Sequence, residues 1–142
     1  MTSPRVAIVV GGGRGIGRAI AERLLAAGYK VAIGQRGATE LEKTRAELAL
    51  RFDAGPDRLR ALTGLDVRNQ NQVESLFDVA HRFLGAPNVV VNAAGIVAKT
   101  LVGDPTDTEV EALWNDVLKT NLTGAFFVTR SAARHIPDHA DG

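Results

Sequence analysis

The sequence predicts an α/β fold, an open parallel sheet with helices on both faces. Two observations carry that expectation. Short apolar runs of strand length alternate with longer amphipathic stretches of helix length. Strands joined by helix-length segments pair in parallel through right-handed crossovers. A length of 142 residues with 45% apolar content suits one domain, residues 1–142, with a core of its own.

Val6-Ala7-Ile8-Val9-Val10 is wholly apolar and rich in β-branched side chains, as a strand buried on both faces should be. From Gly15 to Ala27, Ile16, Ile20 and Leu24 recur beside Arg18, Glu22 and Arg23, which predicts an amphipathic helix closed by Gly28. Val31-Ala32-Ile33 follows as the second strand. A second helix is expected from Thr39 to Phe52, with Leu41, Leu48 and Phe52 on one side, before Gly55-Pro56-Asp57 breaks it. Arg60 to Val67 reads as a third strand interrupted by Thr63 and Gly64. Asn69 to Leu84 reads as a third helix, with Val73, Phe77, Ala80 and Leu84 at helical spacing. Val89-Val90-Val91 is the fourth strand and runs into Asn92-Ala93-Ala94-Gly95. Thr108 to about Ile136 is a long helical stretch holding Val110, Leu113, Trp114, Val117 and Leu118.

Open sheets of this kind bind ligands at the carboxyl ends of their strands, near the point where strand order reverses. Here those ends are Gly11 onward, Gln35-Arg36, Asp66-Val67 and Asn92 to Gly95. Composition narrows the ligand. A net charge of +1 without any run of like charge gives no support to a nucleic-acid or membrane-surface partner. The absence of cysteine excludes disulfides and thiolate metal sites and fits a soluble, cytoplasmic chain. No metal site is expected: Pro137 breaks the helix that a His135/His139 pair would need. Asp104, Asp107, Glu109 and Glu111 read as the ordinary acidic surroundings of a helix N-terminus.

The segment Gly11-Gly12-Gly13-Arg14-Gly15-Ile16-Gly17 joins the first strand to the first helix. A glycine-rich turn entering a helix aims backbone N–H groups and the positive end of the helix dipole at one spot, which suits a phosphate. The nucleoside-triphosphate loop is excluded, because Arg18 and Ala19 stand where Lys and Ser or Thr are required. The spacing G-x-G-x-x-G fails in every register. The longer spacing G-x-x-x-G-x-G fits at Gly11, Gly15 and Gly17.

That spacing, together with Asn92-Ala93-Ala94-Gly95 after the fourth strand, resembles the short-chain dehydrogenase/reductase family. Asp66-Val67 and Thr120-Asn121-Leu122 extend the resemblance over the chain, and the nearest likeness is to reductases of the 3-oxoacyl-carrier-protein type. Val10 departs from the family's usual Thr, and Ala93 from its second Asn. The resemblance implies a Rossmann-type, doubly wound sheet and a chain that is the N-terminal, cofactor-binding part of an oxidoreductase. It implies hydride transfer between a nicotinamide and a carbonyl or hydroxyl carbon of a small molecule, and a homo-oligomer, tetramer or dimer, at full length. It assigns the pyrophosphate to Gly11, Gly12, Gly13, Arg14, Gly15, Ile16 and Gly17, and the adenine to Asp66 and Val67. Asn92, Ala93, Ala94 and Gly95 would flank the nicotinamide ribose. Asn121 would be the catalytic residue present here, supporting a proton relay.

An acidic residue about twenty positions after the glycines binds the ribose 2′-hydroxyl where NAD is preferred. The second strand ends instead in Gly34-Gln35-Arg36, and Arg14 lies inside the loop. A guanidinium offers paired hydrogen bonds and opposite charge to a 2′-phosphate, so NADP(H) is expected over NAD(H). The family's Tyr-x-x-x-Lys is missing. Tyr29 is the one tyrosine and has Ile33, not Lys, four residues on. The 142 residues alone are therefore expected to be inactive, with the fourth strand as an exposed edge and Trp114 or Phe127 uncovered. The alternative is a non-catalytic nucleotide-binding or regulatory subunit completed by a partner chain.

Overall fold

The computed structural model describes residues 4–99 and 109–138. Within them the chain runs β1 (Val6–Val10), α1 (Gly15–Ala26), β2 (Lys30–Gln35), α2 (Ala38–Arg51), β3 (Leu59–Thr63), α3 (Gln70–Phe83) and β4 (Val89–Asn92). A helical stretch then comprises α4 (Val110–Leu118), a π-helical turn (Lys119–Thr123) and α5 (Gly124–His135). The four strands form one parallel sheet in the order β3-β2-β1-β4. The order reverses between β1 and β4, which opens a crevice at the carboxyl end of β1.

Strand alternation divides the core in two. Val6, Ile8 and Val10 of β1 face Val73, Leu76, Phe77 and Ala80 of α3 and Val128 of α5. Val9 faces the other way, into a cluster with Ala21 and Leu25 of α1 and Leu41 and Leu48 of α2. Every residue of β1 is buried, as its uniformly apolar sequence requires. The expected αβ architecture and its element order are present.

Three details differ from the sequence reading. β3 ends at Thr63, because Gly64 takes a left-handed φ of +74° and turns the chain out of the strand. The long terminal helix is not regular: a π-helical turn interrupts it between α4 and α5. Phe127 is not uncovered. Gly124, Val128 and Ser131 form the buried face of α5, with Gly124 on Val67, and Phe127 lies on its margin, packed on the core. In this helical stretch Trp114 and, beside Phe127, Phe126 are exposed. β4 is paired on one side only, as expected of an edge. Thr108, Asp104, Asp107 and His139 lie outside the described residues.

Candidate functional site

A cleft of about 580 Å³ opens at the carboxyl ends of the strands. Its walls include Val10, Gly11, Arg14, Gly15, Ile16 and Gly17 on one side, and Ala93, Ala94, Gly95 and Ile96 on another. Gln35, Arg36, Gly37 and Glu40 close one end, while Leu65, Asp66, Val67 and Thr120 complete the lining.

The glycine turn is shaped by two close approaches. Gly11 has φ +79°, and a Cβ there would stand 2.8 Å from the backbone of Ala93. A Cβ on Gly17 would collide with the carbonyl oxygen of Gly11. The turn is thereby pressed against β4 while α1 begins. The amides of Gly15, Ile16 and Gly17 are the first three of α1, before the first helical bond from Arg18 N to Arg14 O at 3.1 Å. Such amides have no carbonyl partner within their own helix.

Gly12 and Gly13 sit in the same turn but are turned toward the sheet and α2. Both are buried and off the cleft wall. Gly13 N donates to Gln35 Oε1 at 3.0 Å, and its carbonyl accepts from the buried Thr44 hydroxyl at 2.6 Å. Gly12 N faces Gly34 O at 3.4 Å, and a Cβ at Gly12 would strike Ile33. These two glycines fasten the loop to β2 and α2.

At the end of β2, Gln35 bridges two elements. Its amide group donates to Glu40 Oε2 at 2.9 Å while its oxygen holds Gly13. Glu40 in turn lies 3.9 Å from the Arg14 guanidinium. Arg36 is exposed beside them. The corner therefore presents two guanidinium groups and one carboxylate.

Asp66 is engaged by Arg68, whose Nη2 donates to Oδ2 at 2.7 Å and whose Nε reaches Oδ1 at 3.0 Å. The hydrogen bonds and charge of Arg68, with a smaller contribution from Arg36, hold the Asp66 carboxyl below its usual value of 3.8 against the opposing effect of burial. Arg68 Nη1 also reaches Asp116 of α4 at 3.2 Å, so one side chain ties the cleft wall to the last helical stretch. Val67 is buried beneath Gly124.

Asn92 is exposed and lies off the wall; its Oδ1 accepts from Ala94 N at 3.2 Å and shapes the turn leaving β4. Asn121 sits on the π turn. It accepts from Ile96 N at 2.9 Å and donates to Ile96 O at 2.8 Å, a two-bond clasp on the loop after β4. Gly95 passes close to that amide, with a Cβ there falling 3.3 Å from Asn121 Oδ1. Tyr29 packs under the Arg5 guanidinium 4.6 Å from its ring centre, remote from the cleft wall. Among the described residues no cluster of side chains could hold a metal ion.

The glycine turn, the Asn-Ala-Ala-Gly segment and the clasping Asn meet around this one cleft. A family model for short chain dehydrogenases matches residues 5–142. The chain belongs to the short-chain dehydrogenase family. It is 36% identical over 137 residues to a hydroxy-methyl-oxo-hexahydroindene-carboxyl-CoA reductase of Mycobacterium tuberculosis, covering 96% of this chain and 49% of that protein. It is 37% identical over 126 residues to an NADP-dependent (R)-specific alcohol dehydrogenase of Lentilactobacillus kefiri, covering 89% and 46%. Among solved structures, a Phe-to-Trp variant of the actinorhodin polyketide ketoreductase with NADPH superimposes with a TM-score of 0.79 at 34% identity. That match covers 95% of this chain and 49% of the other. The chain spans about half the length of the curated relatives it matches.

Beside Gln35, which the sequence places at a strand end, four wall or anchoring residues of this short-chain dehydrogenase escape a reading by motif: Glu40, Thr44, Arg68 and Ile96. Gln35 alone had a local signal, since it ends the second strand where a cofactor-binding side chain is looked for. The other four gain their places only through tertiary contacts.

Proposed function

We propose that this chain forms the cofactor-binding part of an NADP(H)-preferring oxidoreductase that moves a hydride between nicotinamide and a carbonyl or hydroxyl carbon. The single observation behind it is the cleft itself, which combines a glycine-turned helix N-terminus with Arg14 and Arg36 at its closed end. The residues fit the cofactor. Gly11 and Gly17 have no room for a side chain against Ala93 and the Gly11 carbonyl, and the tight turn they allow lines the cleft. The amides of Gly15, Ile16 and Gly17 offer donors to a pyrophosphate.

When bound, the nicotinamide group supplies the hydride. The chain's own residues position and enclose. Arg14 and Arg36 offer opposite charge to a 2′-phosphate, Asp66 and Val67 wall the adenine end, and Ala93 to Gly95 border the nicotinamide ribose. Asn121 holds the loop at Ile96 and supports a proton relay. Without a Tyr-x-x-x-Lys pair, residues 1–142 bind nucleotide but do not turn over substrate. The likeness to 3-oxoacyl-carrier-protein reductases rests on the motifs quoted for it. A cytoplasmic homo-oligomer acting on a small carbonyl or alcohol completes the reading; among the described residues no helix is long and apolar enough to cross a membrane.

Titration of the chain with NADPH and NADH tests the preference. Tighter binding of NADPH is expected, and equal affinity would overturn it. Arg36→Asp should reverse the order by about tenfold or more, since a carboxylate repels the phosphate and accepts from a ribose hydroxyl.

A further inference from the structure

The closed end of the cleft carries a negative charge that the strand-end motif does not encode. Glu40, in the first turn of α2, is half-exposed and lines the same wall as Arg14 and Arg36. Its position is fixed from behind. Gln35 donates to one carboxylate oxygen at 2.9 Å, and Gln35 is itself held by the Gly13 amide at 3.0 Å. The same oxygen that accepts from Gln35 stands 3.9 Å from Arg14 Nε.

We infer that Glu40 is a specificity-determining residue of this cleft: its carboxylate competes with a 2′-phosphate for Arg14 and narrows the preference for phosphorylated dinucleotides. This rests on the reading that the adenosine ribose lies at the closed end, and it qualifies the cationic corner that reading invokes. A phosphate approaching Arg14 must displace Glu40 or share the guanidinium with it, and it meets like charge within a few ångströms. A 2′-hydroxyl meets no such repulsion. Gln35 is the positioning residue, since it keeps the carboxylate on the wall. Both Arg14 and Glu40 are solvent-exposed, so screening limits the effect to a modest factor.

Calorimetric titration with adenosine 2′,5′-bisphosphate and 5′-AMP at low salt tests this on the wild-type chain and on Glu40→Gln. The substitution should raise affinity for the bisphosphate by about fivefold and change that for 5′-AMP by less than about twofold. In an Arg14→Gln background the gain from Glu40→Gln should shrink to less than about twofold. An unchanged ratio of the two affinities, or a gain that persists in full without Arg14, would overturn the role of Glu40. The 5′-AMP titration of each variant reports an intact fold and cradle. Wild-type binding of 5′-AMP addresses the nucleotide site separately. If neither ligand binds the wild-type chain, the cofactor reading falls and Glu40's role with it; if both bind and the ratio stays fixed, only the latter falls.

Discussion

The two flanks of β1 are built differently. On the β2 side the chain closes on itself: Gly13 is held by Gln35 and Thr44, Glu40 by Gln35, and Val9, Val31 and Ile33 are fully buried. On the β4 side the residues Val89, Val90 and Val91 are only half-buried, and among the described residues the strand has no neighbour beyond it. The helical stretch that follows leaves Trp114, Leu122 and Phe126 exposed at 64%, 65% and 58%. The β2 flank, with the glycine turn, thus carries its own support, whereas on the β4 flank the loop after the strand is held by the Asn121 clasp on Ile96. The tightness of a site and the completeness of its surroundings are separable properties within one sheet.

Paired truncations would break that comparison most forcefully. Val9 and Val91 are register partners on adjacent strands and belong to the same face of the sheet. Val9→Ala should cost about 2–3 kcal/mol, from lost burial and a cavity in a fixed core, and Val91→Ala about 1 kcal/mol or less. Urea denaturation of both variants measures the difference, and equal losses would show that the β4 flank is as well supported as the other.

The Asn121 clasp offers a local version. Asn121→Ala removes both hydrogen bonds to Ile96, each worth about 1 kcal/mol at most in an exposed setting. The Ile96 amide should then exchange about tenfold faster with solvent, while the Gly13 amide, on the opposite flank, stays as protected as before. Acceleration at both amides would mean that the flanks are coupled.

Acid titration probes the smallest effect. Because Arg68 lowers the Asp66 carboxyl in the folded chain, the stabilisation is present above the usual value of 3.8 and is lost as pH falls through the lowered one. Solvent screening keeps it below about 1 kcal/mol. In Arg68→Met the Asp66 carboxyl should titrate nearer its usual value by NMR, and the stability of the chain should depend less on pH in that window. An unmoved titration would remove Arg68 as the cause.

How far the sequence foretold this molecule depends on the range of the contacts involved. Val6–Val10 declared a doubly buried strand because its burial is uniform, and Gly11, Gly15 and Gly17 declared the tight turn that opens α1 through spacing alone. Both are local patterns. Gly12 and Gly13 have the same composition as their neighbours but serve as anchors, and only the positions of Ile33, Gln35 and Thr44 reveal it. Glu40 reads locally as an ordinary acidic residue of a helix's first turn; its nearness to Arg14 is a product of the β1–α1–β2–α2 crossover. Phe126 and Phe127 are adjacent and chemically identical, so the choice of which one faces outward belonged to the packing of α5 on α3.

The π turn at Lys119–Thr123 has a mechanical meaning. A regular helix transmits an axial load stiffly along its length, whereas a widened turn is a compliant joint. Asn121, which grips Ile96, is mounted on that joint and not on either rigid arm. The loop after β4 is therefore held from the irregular turn of the stretch, while α5, the regular arm beyond it, packs on α3.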